Sequence, residues 1–234
     1  MIPTKVRKAD KELLQIAPSI RDITEGINKL IADALGREYF LNHKINLSLG
    51  DKPQYANNHR SKKMYIQVKG VPTDTAASDT TRSLYISGVL HEIGHSYLRF
   101  EHSLRRAKEI ILSEGLAYTF ALLFLEDAGK QLNGNSFLAK NKYYEYEKKW
   151  YSDVLSQTER IFLPLELAKF FMNAKMTKEH MLRIIKEFNL KHKTPKQIEE
   201  IVGKVMGTTV RTDYVELFEN FDIVEYAKNH NRKI

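Results

Sequence analysis

The 234-residue sequence predicts an α+β fold in which helix dominates. Three observations carry that prediction. Apolar residues recur at helical spacing over most of the chain, strict apolar–polar alternation is confined to two short stretches near the N-terminal third, and no internal repeat or low-complexity linker interrupts the run. The order that results is helix, small sheet, then a long helical series.

Taken in turn, Ala9 to Leu35 places Leu13, Leu14, Ile16, Ile20, Ile23, Ile27, Leu30, Ile31 and Ala34 on one face, with Pro18 as a break or restart, so one long helix or two shorter ones are expected. Lys44–Leu49 and Met64–Val68 alternate and read as two strands, separated by a polar stretch containing Pro53, Asn57 and Asn58. Gly70 to Asp79 reads as loop, and its Thr/Ser/Asp cluster can cap a helix starting near Thr80 or Thr81. Helices are then expected over Arg82–Phe100, Ala107–Asp127 ended by Gly129, a Tyr-rich stretch Phe137–Ile161, Leu165–Met172, Thr177–Leu190, Lys196–Met206 after Pro195, and Tyr214–Lys228.

Composition removes several classes of chemistry. Cysteine is absent, so disulfides, thiolate metal sites, iron–sulfur clusters and cysteine nucleophiles are excluded, and any metal must be held by His, Asp or Glu. The opening stretch MIPTKVRKADKELLQ has no apolar secretory core, and no apolar run approaches the roughly 18 residues needed to cross a bilayer, so a soluble, cytoplasmic protein without membrane contact is expected. The formal charge is +8, and the basic excess peaks from Pro164 to Thr212, with ten Lys/Arg against five Asp/Glu. A solvated helical surface explains it most simply; a face for nucleic acid or another acidic partner is the functional alternative.

The helix from Arg82 contains Leu90-His91-Glu92-Ile93-Gly94-His95. Residues i and i+4 lie one turn apart on one face, so both imidazoles can converge on one metal ion. Glu92, about 100° round the helix, stays outside the ligand shell but beside it, where a base for water belongs. A catalytic zinc needs a third protein ligand and one open position. Glu101, His102, Glu109 and Glu114 are the downstream candidates. Glu114 sits in the apolar segment Ile110–Ala121, where an unpaired carboxylate is costly and a metal would offset that cost; Glu109, after Arg105, Arg106 and Lys108, is the fallback.

His91-Glu-x-x-His95 followed by Glu114-Gly-Leu-Ala117 resembles the gluzincin class of zinc metallopeptidases, which includes thermolysin and the alanyl-aminopeptidase type. The resemblance covers roughly residues 82 to 127. It implies one zinc ion held by His91, His95 and Glu114, Glu92 as general base, and endopeptidase action on a protein or peptide substrate. Exopeptidase action does not carry over, because the Gly-Ala-Met-Glu-Asn element of those aminopeptidases is missing. It further implies a zincin-like catalytic core over 1–130, a helical C-terminal subdomain over 131–234 completing the cleft, and an extended substrate pairing with the edge of the sheet that contains Met64–Val68.

Glu114-x-x-Ala117-x-x-Phe120-Ala121 is also similar to the ImmA/IrrE-type regulatory metallopeptidases, with Leu165–Phe171 and Thr177–Arg183 resembling their helix-turn-helix. That similarity implies a DNA-associated regulatory protease. Tyr143, Tyr144, Tyr146, Tyr151 and Tyr214 all qualify as donors to an oxyanion and none stands out. Tyr118, one turn after Glu114, could orient a ligand or simply pack. His43, His59, His180, His192 and His230 lie in polar or lysine-rich surroundings and read as surface residues.

Overall fold

The computed structural model describes residues 4–6, 11–48, 54–56, 64–69, 79–99, 107–131 and 163–207. The expected helices over Phe137–Ile161 and Tyr214–Lys228, the Gly70–Ser78 part of the expected loop, and Tyr143, Tyr144, Tyr146, Tyr151, Tyr214, Glu101, His102, His59 and His230 lie outside them. Helix dominates, as the sequence predicts. In chain order the elements are β1 (Thr4–Val6), α1 (Lys11–Leu35), a single 3-10 turn (Arg37–Tyr39), β2 (His43–Ser48), β3 (Gln54–Ala56), β4 (Met64–Lys69), α2 (Asp79–Tyr97), α3 (Ala107–Gln131), α4 (Leu163–Asn173), α5 (Lys178–Phe188) and α6 (Pro195–Met206).

Contacts divide the chain into two units, Met1–Ser96 with Ala121–Asp153, and Tyr97–Phe120 with Val154–Ile234. In the first unit, α1 runs unbroken through Pro18. An interior proline removes one helical hydrogen bond and costs about 3 kcal/mol. Downstream, Ile20, Ile23, Ile27 and Ile31 are fully buried, each stabilising by about 1.5–3 kcal/mol, so packing outweighs the local penalty.

The sheet has four strands in the order β1-β2-β4-β3. The β1–β2 and β2–β4 pairs are parallel, with Thr4 opposite Ile45 and Ile45 opposite Ile66, and β3 pairs antiparallel with β4. The alternating stretches are thus found as β2 and β4, while the three-residue strands β1 and β3 are too short to announce themselves by period. In the sheet that contains Met64–Val68, β2 pairs with β4 along its length and β3 with Gln67–Lys69, so β1 and β3 are the outer strands among the described residues.

In the second unit, Leu167, Ala168 and Phe171 of α4, Met181, Ile184, Ile185 and Phe188 of α5, and Ile198, Val202 and Val205 of α6 are buried. Thr177 and Thr194 begin α5 and α6 as reciprocal capping boxes, with Pro195 at the first helical position where its missing N–H costs nothing. Asn189 closes α5 in the left-handed conformation (φ 49°). Two helix ends differ from expectation. α2 stops at Tyr97 rather than Phe100, where the Arg99 carbonyl accepts a hydrogen bond from the Lys193 N–H at 3.0 Å. α3 continues past Gly129 to Gln131, because one interior glycine costs only about 1 kcal/mol and the last turns bury Leu125 and Ala128.

Candidate metal centre

The C-terminal half of α2 is buried nearly all round. Val89, Leu90, Ile93, Tyr97 and Leu98 are sealed, and the polar residues among them are sealed too: His91 is 8% exposed, Glu92 6% and Ser96 0%. His95 is half-buried. Helical spacing brings His91 Nε2 and His95 Nε2 to 3.0 Å, their rings edge-on at an interplanar angle of 89°. Glu114, half-buried on α3, completes the set: one ligating atom from each of His91, His95 and Glu114 lies within 4.8 Å of the others.

The donor set fits a divalent cation. Two neutral imidazole nitrogens and one carboxylate oxygen supply a single negative charge, with no thiolate to demand a soft metal. Ligands about 2.0–2.1 Å from a tetrahedral zinc stand about 3.3 Å apart, so the histidine pair is already at ligand spacing and the carboxylate has at most about 1.5 Å to close. Glu92 lies beside these ligands on α2 and is not one of them. The two histidines and Glu114 are therefore brought together as the sequence predicts. Glu109 falls in the first turn of α3, and its side chain lies outside what the structure describes. Tyr118 is half-buried on the same helix.

Around Glu114 the helix is shaped by its neighbours. A Cβ at Gly115 would come within 2.6–2.9 Å of three Leu167 carbons, so glycine is what lets α3 approach α4 there. Thr119 Oγ1 donates to the Gly115 carbonyl at 2.7 Å, satisfying its hydroxyl inside the helix. At the end of α2, burial pushes the Tyr97 phenol above its ordinary value, and partial burial lowers the Arg99 guanidinium, whose Nη1 donates to the Leu190 carbonyl at 3.3 Å.

One expectation is overturned. His43 is not a surface residue: it is fully buried at the start of β2, between Asn28 of α1 and Ser96 of α2. A signal for it exists in the sequence. His43 shares strand parity with Ile45 and Leu47, and Asn28 falls in the i, i+4 row after Ile20 and Thr24, so both belong to inward-facing positions. A polar environment in sequence is not a polar environment in space. His180 does serve locally at the surface, its Nδ1 accepting from the Thr177 N–H in the cap of α5.

The basic region is electrostatically mixed where it is described. On α5, exposed Arg183 and Lys186 alternate with exposed Glu179 and Glu187, and Lys204 of α6 lies 3.3 Å from Glu187. Hydrogen bonds from its own backbone and the Thr177 hydroxyl, with smaller help from Lys178 and His180, hold the Glu179 carboxyl below its usual range. No helix among the described residues is long and apolar enough to cross a membrane.

No family model, curated protein or solved structure matches this chain. The reading of the site therefore rests on its own geometry and on the motif.

Proposed function

We propose that this protein is a zinc-dependent metallopeptidase of the zincin type, an endopeptidase acting on a protein or peptide substrate. The observation that carries the reading is the convergence of His91, His95 and Glu114 with a buried carboxylate, Glu92, one residue from the first ligand. A metal bound by neutral imidazoles and one carboxylate would supply Lewis acidity at the scissile carbonyl and lower the pKa of a water. His91 and His95 would hold that metal through one imidazole nitrogen each, and Glu114 would contribute the one anionic ligand. Glu92 accepts the proton of the attacking water and hands it to the leaving amine nitrogen, completing hydrolysis without a covalent enzyme intermediate. Its 6% exposure keeps bulk water from competing for that proton. A purely structural site gains nothing from a carboxylate at this position, which favours hydrolysis over a metal that only braces the fold.

The test combines elemental analysis with a peptide library. Tag-free wild type, Glu92→Gln and Glu109→Ala should each hold one equivalent of zinc, and Glu114→Ala should lose it. Cleavage of library peptides by wild type should fall about 10²–10⁴-fold in Glu92→Gln, the range ascribed to a general base. Wild type that takes up no zinc, or a zinc-loaded Glu92→Gln that cleaves at the wild-type rate, overturns the reading.

A further inference from the structure

The polar chain through His43 has a direction that can be worked out atom by atom. Asn28 Nδ2 lies 3.0 Å from the Leu41 carbonyl oxygen and 3.0 Å from His43 Nδ1. An amide NH₂ has two protons and only donates, so it serves both acceptors, and turning the amide over would set its oxygen against the Leu41 carbonyl. His43 Nδ1 is thereby an acceptor, and the ring carries its proton on Nε2. Nε2, 2.9 Å from Ser96 Oγ, donates to it. The Ser96 hydroxyl proton then goes to the Glu92 carbonyl oxygen at 3.0 Å. Asn28, His43 and Ser96 are each fully buried.

We infer that His43 is a positioning residue for the metal centre: through Ser96 it fixes the rotation of the turn of α2 that carries Glu92 and His95. The inference rests on the metallopeptidase reading and deepens it. Apolar packing alone resists separation of a helix from a sheet but resists its rotation poorly, since side chains can slide into neighbouring grooves. A fully satisfied hydrogen-bonded chain permits one arrangement. It reaches α2 at Ser96, the residue following His95, so a rotation of α2 about its axis breaks the His43–Ser96 bond, while the Ser96–Glu92 bond within the helix holds the hydroxyl in its accepting geometry. With side-chain tips about 5–6 Å from the helix axis, a 10° rotation displaces a ligand nitrogen by about 1 Å, a displacement that degrades a preorganised site.

The experiment compares His43→Gln with His43→Phe. A glutamine carboxamide presents an acceptor and a donor about as far apart as the two imidazole nitrogens, so it can accept from Asn28 and donate to Ser96; phenylalanine fills the space and does neither. Zinc affinity is read by competition with a chelator, beside thermal unfolding of the metal-free protein, with Ile31→Ala on α1 as a control for general destabilisation. Nitrogen-15 NMR of metal-free wild type should show His43 protonated on Nε2 alone. His43→Phe, still folded, should bind zinc about 10–100-fold more weakly, His43→Gln should recover most of that loss, and Ile31→Ala should bind as wild type despite its lower unfolding temperature. A folded His43→Phe with wild-type affinity, a glutamine variant no better than phenylalanine, or an Nδ1-protonated ring overturns the positioning role alone. Wild type that binds no zinc while showing the Nε2 tautomer overturns the metal centre, and the positioning role with it.

Discussion

Helices α2 and α5 are built on opposite principles. α5 follows every local rule: a capping box at Thr177, a left-handed Asn189 at its end, four apolar residues on one face, and charges at Glu179, Arg183, Lys186 and Glu187 on the other. α2 is enclosed on nearly every side over its last ten residues, yet places His91, Glu92 and Ser96 in that enclosure. A helix buried all round is expected to be apolar all round. Burying a carboxylate and an imidazole costs free energy unless each finds a partner, and a site for chemistry is the usual reason to accept that cost. The difference teaches where to look for function: in the helix that departs from the rules, and not in the one that keeps them.

The sharpest way to test that division is to damage the regular region heavily and ask whether the metal centre notices. Phe188 is fully buried at the end of α5. Phe188→Ala should destabilise the protein by about 3–5 kcal/mol, the range for deleting a buried aromatic, as measured by denaturant unfolding. Zinc affinity of the folded fraction should stay within twofold of wild type. A large loss of affinity alongside intact secondary structure would show that the capped helices help to shape the metal centre, and the contrast between the two regions would have to be abandoned.

A smaller effect is expected on the helix that bears the third ligand. Gly115 follows Glu114 directly, and a methyl group there meets Leu167 Cβ, which belongs close to the α4 backbone and cannot swing away. Gly115→Ala adds helix propensity but forces α3 and α4 apart, so a net destabilisation of about 1–3 kcal/mol is expected. Because the shift falls beside Glu114, zinc affinity should fall as well, unlike in Phe188→Ala. Unchanged affinity in a destabilised Gly115→Ala would mean that the carboxylate tolerates movement of its backbone.

The same contrast separates what is legible in the sequence from what is not. The α1 stripe, β2, β4 and the helices α3 to α6 follow from periodicity and caps, because burial there takes the simple form of an apolar face. The grouping of His91, His95 and Glu114 is legible because two histidines one helical turn apart and a carboxylate in an apolar segment each point to a shared partner, and the structure brings the three together. The Asn28–His43–Ser96 chain is legible only as far as the inward-facing positions of Asn28 and His43; which residues meet is not, since they stand 15 and 53 residues apart. β1 and β3 escape for another reason: three residues cannot display a period of two. Gly129 misleads as a local breaker overruled by the burial of Leu125 and Ala128, whereas at Pro18 the sequence leaves one long helix or two shorter ones open and the long one is found.

The mildest perturbation probes how far local rules alone support the regular region. Thr194 Oγ1 accepts from the Gln197 N–H at 3.3 Å while Gln197 Oε1 accepts from the Thr194 N–H at 3.0 Å. Thr194→Ala removes half of this exchange and leaves a helix-end donor to water, for a loss of about 1 kcal/mol. The long hydroxyl contact and the exposed setting favour the lower part of the usual range. Gln197→Ala should cost no more, and the double variant should cost less than the sum of the two, since each single variant keeps the other side-chain-to-backbone bond but loosens the turn that aligns it. Additive losses would show that the two bonds act independently; their mutual dependence would make α6 a helix held at its start by a cooperative pair, whereas α2 is held through a buried chain that reaches two other elements.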